Sequence, residues 1–405
     1  MPWSDARPLE GIRVLDLCRV VSGPFATMQL GDLGADVAKI EAPDQGDESR
    51  SYGPPFVAGE SAYYMSVNRN KRSIAIDLKS KHGKQLALDL AAKADVVIEN
   101  FRPGTMERLG LGYDDLCKLN PRIVYCGISG FGRSGPEAGR PGYDLILQGE
   151  GGVMSITGEA GGPPMKVGTS IADLVTGLYA AQAVLAALAQ RTRTGTGGRI
   201  DVSMLDCMAS LLTFNAGMYF ASGKSPARRG NAHPTISPYE AFEAEDGWFN
   251  LGVANDKFWS IFCRTIGREE LLTDPDFATA PKRAENRARL RDLLKPMFRA
   301  KPRDHWLRML TENAVPCGAI RSVGEVCEAE NLKTRGVSRT MRHPRAGDLR
   351  YIASALRFDD MPPPDPAPPP LLGEHGEAIL ADWLNLAMDD VERLARAGAF
   401  LRPAQ

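Results

Sequence analysis

Histidine is scarce in this chain, five in 405 residues, and the five (His82, His233, His305, His343, His375) stand far apart without a carboxylate at ligand spacing. No metal site is therefore expected. The seven cysteines are scattered and include no CxxC pair. That removes a zinc knuckle and a disulfide framework, and leaves reduced thiols in a cytoplasmic protein as the expectation. Charge of one sign is missing too: 49 Lys and Arg face 50 Asp and Glu, for a net −1. Such a chain has no global basic field for nucleic acid or an anionic membrane, so any anion it binds needs a local cluster. Residues 1–10 are polar and carry prolines, with no apolar signal segment. The one long apolar run, 171–190, contains Asp173, Gly177 and Gln182. Its apolar core is short for the ~20 residues a bilayer requires, and a buried helix is expected instead.

What is present is an alternation. Short apolar runs at 12–17 (IRVLDL), 36–41 (DVAKIE), 73–78 (SIAIDL), 95–100 (DVVIEN) and 123–128 (IVYCGI) read as buried strands. Helical patterns at 24–34 and 81–92 separate them. This predicts an α/β fold with a doubly wound, Rossmann-like parallel sheet and a ligand site at the strands' carboxyl ends. Residues 149–164 are Gly-rich and mark a functional loop or a boundary. A helix from 171, a short strand at 199–202 and an apolar helix at 204–220 follow. From 238 the texture changes to a hairpin (239–242 and 248–253) and three helical patterns near 256–266, 283–299 and 302–313. The predicted organisation is a large domain over 1–221, a linker at 222–237, a smaller α+β domain at 238–330, and a connector and C-terminal segment at 331–405 that returns to the large domain. Within that last segment the run PPPDPAPPP (362–370) is a stiff extended connector, and 374–384 reads as a helix.

Several chemistries fail on spacing. The stretch between the first strand and helix, CRVVSGP at 18–24, has one glycine where a dinucleotide fingerprint needs three. No GxSxG elbow exists. Two basic sets remain. Asn68 to Arg72 precede the third strand and Lys79 follows it, while Phe101, Arg102 and Arg108 follow the fourth. Both sets sit at strand ends and could converge on a phosphate-rich ligand, although a solvated charged face explains such runs equally well. Asp173 stands at the start of the long apolar helix. A carboxylate in a first turn is favoured in its ionised form by the helix dipole, as a nucleophile requires. A simple N-terminal charge complement fits the same position.

The chain resembles the family III CoA-transferases through PLEGIRVLDL (8–17), LGADV (33–37), NKRSI (70–74), ENFRPG (99–104) and PLLGEH (370–375). The resemblance implies a large CoA-binding domain, a smaller inserted domain and an interlocked homodimer. It implies Asp173 as the catalytic aspartate. CoA contacts would fall at Val21 and Ser22, at Ala42 and Arg72, and across Ile76, Asp77, Leu78 and Lys79. Further contacts would fall at Asn100, Phe101 and Arg102, and at Arg108, Arg140 and Tyr143. No cofactor is held permanently, and CoA enters as substrate and leaves as product. The implied chemistry is an aspartyl–acyl anhydride followed by an aspartyl–CoA thioester, with backbone N–H groups of a loop such as 149–152 as oxyanion donors.

Val21 stands where formyl-CoA transferase has glutamine, and the mobile glycine-rich loop of that enzyme has no counterpart between 222 and 248, so a formyl or oxalate role is not expected. The family's racemase branch, acting on 2-methylacyl-CoA, needs a histidine within RPGYD (140–144), where this chain has Tyr143. A phenol with a pKa near ~10 is a poor general base at neutral pH. A CoA-binding protein without activity is argued against by the intact Asp173. HPTISPY (233–239) resembles members that use succinyl-CoA and C4–C6 dicarboxylates. Arg19, Arg50 and Arg229 are the candidate cations for a remote carboxylate.

Overall fold

A computed structural model describes residues 7–359 and 365–402. Residues 362–364 of the Pro-rich connector and 1–6 of the polar N-terminus lie outside the described residues. Two compact units divide the chain. One comprises Met1–Val153, Lys166–Gly217 and Asn331–Gln405, the other Met154–Met165 and Met218–Glu330.

In the first unit the chain runs β1 (Arg13–Asp16), α1 (Ser22–Asp32), β2 (Asp36–Glu41), β3 (Lys71–Ala75), α2 (Lys81–Lys93), β4 (Val96–Glu99), β5 (Val124–Ser129), α3 (Asp144–Glu150), α4 (Ile171–Thr194), β6 (Gly198–Ser203) and α5 (Gly376–Leu384). Six strands form one sheet in the order β3-β2-β1-β4-β5-β6, and every pair is parallel. Neighbouring residues of each strand point to opposite faces. Val14, Val37 and Val96 therefore join Ala26, Leu30, Ala180 and Val184 of α1 and α4 in one core. Leu15, Ala38 and Val97 join Leu86, Leu90, Ile379 and Trp383 of α2 and α5 in the other. Both faces are covered, which is why these strands read as continuous apolar runs. The chain winds outward from β1 through β2 to β3, then restarts at β4 on β1's other side. The crevice between the carboxyl ends of β1 and β4 is the topological switch point.

Two element boundaries differ from the sequence expectation. The third strand covers 71–75, not 73–78, because Lys71 is drawn into the interior, where its Nζ meets Asp16 at 3.1 Å. The apolar stretch at 204–220 is two helices, Met204–Ser210 and Thr213–Ser222, and the second begins on Thr213 at φ +34°.

The second unit contains an antiparallel sheet in which Trp248–Gly252 lies between Tyr239–Glu243 and Cys317–Ala319. Helices Asp256–Thr265, Arg287–Arg299 and Arg303–Glu312 cover it. Phe249, Trp259, Phe262, Leu294 and Phe298 form its core.

Candidate active site

Asp173 is the third residue of α4. The helix start is tied down by a neighbour: Ala172 N–H donates to Asp144 Oδ1 at 2.9 Å. The other Asp144 oxygen accepts from Gln148 Nε2 at 2.8 Å, and Gln148 Oε1 accepts from Val167 N–H at 2.8 Å. The cap that could have been Asp173's role thus belongs to Asp144. No described residue donates a hydrogen bond to the Asp173 carboxylate or pairs with it.

Its charge state corrects the sequence expectation. The helix head does not keep this group at an ordinary carboxylate pKa. Burial, and then the negative charge of Asp144, push it up to about 7. Tyr63 stands near enough to feel both acids. Burial raises its pKa first, and Asp173 and Asp144 add to the rise.

Asp173 opens on a cleft of about 160 Å³ at the switch point. Arg19, Val20 and Ser22 come to it from the β1–α1 loop, and Asn100, Phe101 and Arg102 from the end of β4. Ser129, Gly130, Arg140, Gly142 and Tyr143 come from β5 and the loop beyond it. Gly130 and Gly142 are there for room, since a Cβ on either would come within 2.9 Å of the other's backbone.

The β1–α1 loop is held by side chains. Asp16 Oδ1 accepts Cys18 N–H at 2.8 Å, and Lys39 Nζ donates to Cys18 O at 2.6 Å. Asn100 grips both backbone groups of Arg19, accepting at 2.8 Å and donating at 2.7 Å. Asp47 Oδ1 accepts Val20 N–H at 3.0 Å. Val20 adopts φ +67°, a left-handed conformation that costs a β-branched residue about 1–3 kcal/mol. Asp47 is in turn paired with Lys39 at 2.9 Å, both side chains fully buried. Breaking a buried pair of this kind costs about 3–5 kcal/mol, so the loop rests on a stiff support.

The cleft thus gathers Ser22, Asn100, Phe101, Arg102, Arg140 and Tyr143 with Asp173. Other sequence candidates lie elsewhere. Val21 is 4% exposed, its side chain in the interior, and Val20 takes its place in the cleft. Ala42, Asp77 and Lys79 are exposed, Leu78 is half-buried and Ile76 is buried, all beyond the carboxyl ends of β2 and β3. Arg108 is exposed and bonds Thr105 Oγ1 at 3.0 Å.

Arg72 must be corrected. It stands near the amino end of β3, opposite the cleft, and pairs with Asp36 and Asp382 at 2.6 Å each. The set 68–72 does not converge with 101–108. Arg69 pairs with Asp32 at 2.5 Å and Lys71 is buried on Asp16. Arg50 is also consumed, bonding Glu41 through Nε and Nη2 at 2.7 Å each. The proposed oxyanion loop fails as well. Gly151 N–H and Gly152 N–H donate to Leu147 and Gly149 carbonyls at the end of α3. Arg229 is exposed and belongs to the second unit.

Sequence reading missed Asp144, Val20, Glu48 and Ser129. Asp144 caps a helix 28 residues away, a relation without local spacing, and the one signal near it is the RPGYD motif that it ends.

Fold and cleft together define a doubly wound α/β protein that presents an unpaired carboxylate to an arginine-lined crevice, a layout suited to acyl transfer through a carboxylate nucleophile. The chain belongs to CoA-transferase family III, whose model matches residues 9–376, and is a CoA-transferase. It is 41% identical over 400 residues to succinyl-CoA:glutarate CoA-transferase of Mus musculus, covering 98% of this chain and 92% of that one. It is 40% identical to acetyl-CoA:oxalate CoA-transferase of Acetobacter aceti, covering 94% and 97%. The crystal structure of a CAIB/BAIF family protein from Brucella suis superposes with a TM-score of 0.84 at 41% identity, covering 93% of this chain and 99% of that one.

Proposed function

We propose that this transferase moves CoA from succinyl-CoA, or a similar donor, to a C4–C6 dicarboxylate, with Asp173 as the covalent carrier. The observation that carries this reading is the unpartnered, half-buried Asp173 carboxylate open to an arginine-lined cleft. Asp16, Asp47 and Glu41, by contrast, are all engaged in ion pairs.

Asp173 Oδ attacks the donor thioester carbonyl and expels the CoA thiolate, giving a mixed anhydride. The thiolate attacks the aspartyl carbonyl and releases the donor acid, leaving an aspartyl–CoA thioester. The acceptor carboxylate attacks that carbonyl and frees the thiolate again, forming a second anhydride. The thiolate then takes the acceptor's acyl group, and Asp173 leaves as a carboxylate. Thioester bonds made and broken balance, so the exchange needs no external energy source. Asn100 and the clamped β1–α1 loop hold the cleft wall in place while the thiolate remains nearby.

Racemisation of a 2-methylacyl-CoA would need a second acid/base. The described lining of the cleft offers Tyr143 and no histidine.

The test is an acceptor panel with succinyl-CoA as donor: succinate, glutarate, malate, itaconate, mesaconate, oxalate and carnitine. Ping-pong kinetics with a C4–C6 dicarboxylate preferred are expected. Preference for oxalate or carnitine would contradict the substrate class, and α-proton exchange without an acceptor would contradict transfer.

A further inference from the structure

Arg19 differs from the other arginines of the cleft. Its guanidinium lies over the Phe101 ring, 4.7 Å from the centroid. Its Nη1 donates to Glu48 Oε1 at 2.6 Å, and Glu48 lines the same cleft. Its Nε is buried and has no acceptor among the described residues. A buried donor left unmade in a native site calls for an explanation, and at the wall of a cleft a ligand oxyanion would complete it. An arginine side chain offers Nε and Nη2 as a parallel pair of donors matched to one carboxylate. Here Glu48 occupies Nη1 and leaves that edge unfilled.

The backbone under this side chain is fixed. Arg19 N–H and C=O are both bonded to Asn100, and its neighbours Cys18 and Val20 are bonded to buried charged groups. The fork is therefore presented from a rigid wall, which reduces the ordering cost of binding. Alternative cations serve less well. Arg140 is held by Glu137 and Glu150, Arg50 is locked on Glu41, and Arg102 sits exposed on the rim.

We infer that the Nε–Nη2 edge of Arg19 reads the remote carboxylate of the dicarboxylic acid while its other carboxylate reacts at Asp173. This rests on the transfer reading above and names the residue that sets its acceptor class. The oxyanion that fits the edge has two sources, a substrate carboxylate or a CoA phosphate, and the test separates them.

The full-length enzyme and its Arg19→Gln variant are compared in two measurements: kcat/KM for glutarate, and Kd for free CoA by calorimetry. A charged hydrogen-bonded pair lost from a partly buried site corresponds to about a 10- to 100-fold fall in kcat/KM for glutarate. CoA affinity should stay within about threefold. Arg19→Lys, which keeps the charge and loses the fork, should fall between wild type and Arg19→Gln, and serves as the reading if the glutamine variant does not fold. An unchanged glutarate kcat/KM overturns the inference. So does a parallel loss of CoA binding, which would mark Arg19 as a phosphate contact or a purely structural residue. A wild type that moves CoA to no dicarboxylate removes the substrate class itself. Wild-type activity on glutarate with an unaffected Arg19→Gln removes the role of Arg19 alone.

Discussion

At the scale of the residue, Asp173 must act as a nucleophile in surroundings that favour its proton. With a pKa raised to about 7 by burial and then by Asp144, much of the free enzyme is protonated at neutral pH. Attack needs the anion, so kcat/KM for the acyl-CoA donor is expected to climb with pH and level off above that value. Asp144→Asn keeps an acceptor for Ala172 N–H and removes the neighbouring charge. It is expected to shift the acid limb about one unit toward lower pH. An unmoved limb in the pH profile would show that Asp144 does not act on Asp173. Stability carries the opposite sign. Because the folded pKa lies above the unfolded one, protonation favours the fold, and this contribution is lost as pH rises from about 4 through 7. Asp173→Asn should therefore melt higher than wild type at pH 8, with the gap narrowing toward pH 5, a trade of stability for function common at active sites. The position of Asp173 was legible in the sequence. Its protonation was not, because the causes are burial in the folded cleft and then an aspartate on another helix.

At the scale of the element, α4 carries Asp173 and is positioned by its crossing with α1. Gly177, one turn after Asp173, faces the backbone of α1 at close range. A Cβ there would meet Ser22 O at 2.7 Å and Phe25 Cδ1 at 3.0 Å. Gly177→Ala should cost about 1–3 kcal/mol, read from denaturant unfolding. It should also lower transfer beyond that loss of stability, because Asp173 moves with the helix and Ser22 lines the cleft. A destabilised variant with full specific activity would contradict the coupling. The strands themselves were legible as apolar runs between helices. The third strand starts two residues before its apolar run: Lys71 reads as a surface lysine, whereas Asp16, Asn68 Oδ1 and Pro24 O receive its ammonium inside. The two basic sets, which the sequence allows to converge on one crevice, stand apart. In a parallel sheet all amino ends lie on one side and all carboxyl ends on the other, and that separates Arg72, near the start of β3, from Arg102, beyond the end of β4.

At the scale of the molecule, two motifs 300 residues apart explain each other. Within PLLGEH, Gly373 N–H donates to Ser73 Oγ at 2.9 Å and His375 N–H to Ser73 O at 2.9 Å. Ser73 belongs to NKRSI, and its hydroxyl in turn donates to buried Glu41 at 2.6 Å. Trp383 Nε1 closes the same seam on Asp36 at 2.7 Å. Neither motif signals this contact locally, because the partners meet only after the chain has passed through its second unit. The catalytic proposal, by contrast, concentrates on a single atom group. Incubating the enzyme with succinyl-CoA, quenching with hydroxylamine and mapping peptides by mass spectrometry tests it most directly. The expected result is a hydroxamate on Asp173 and on no other acid, dependent on succinyl-CoA and lost in Asp173→Asn. Undiminished turnover with no modification of Asp173 would contradict the covalent role.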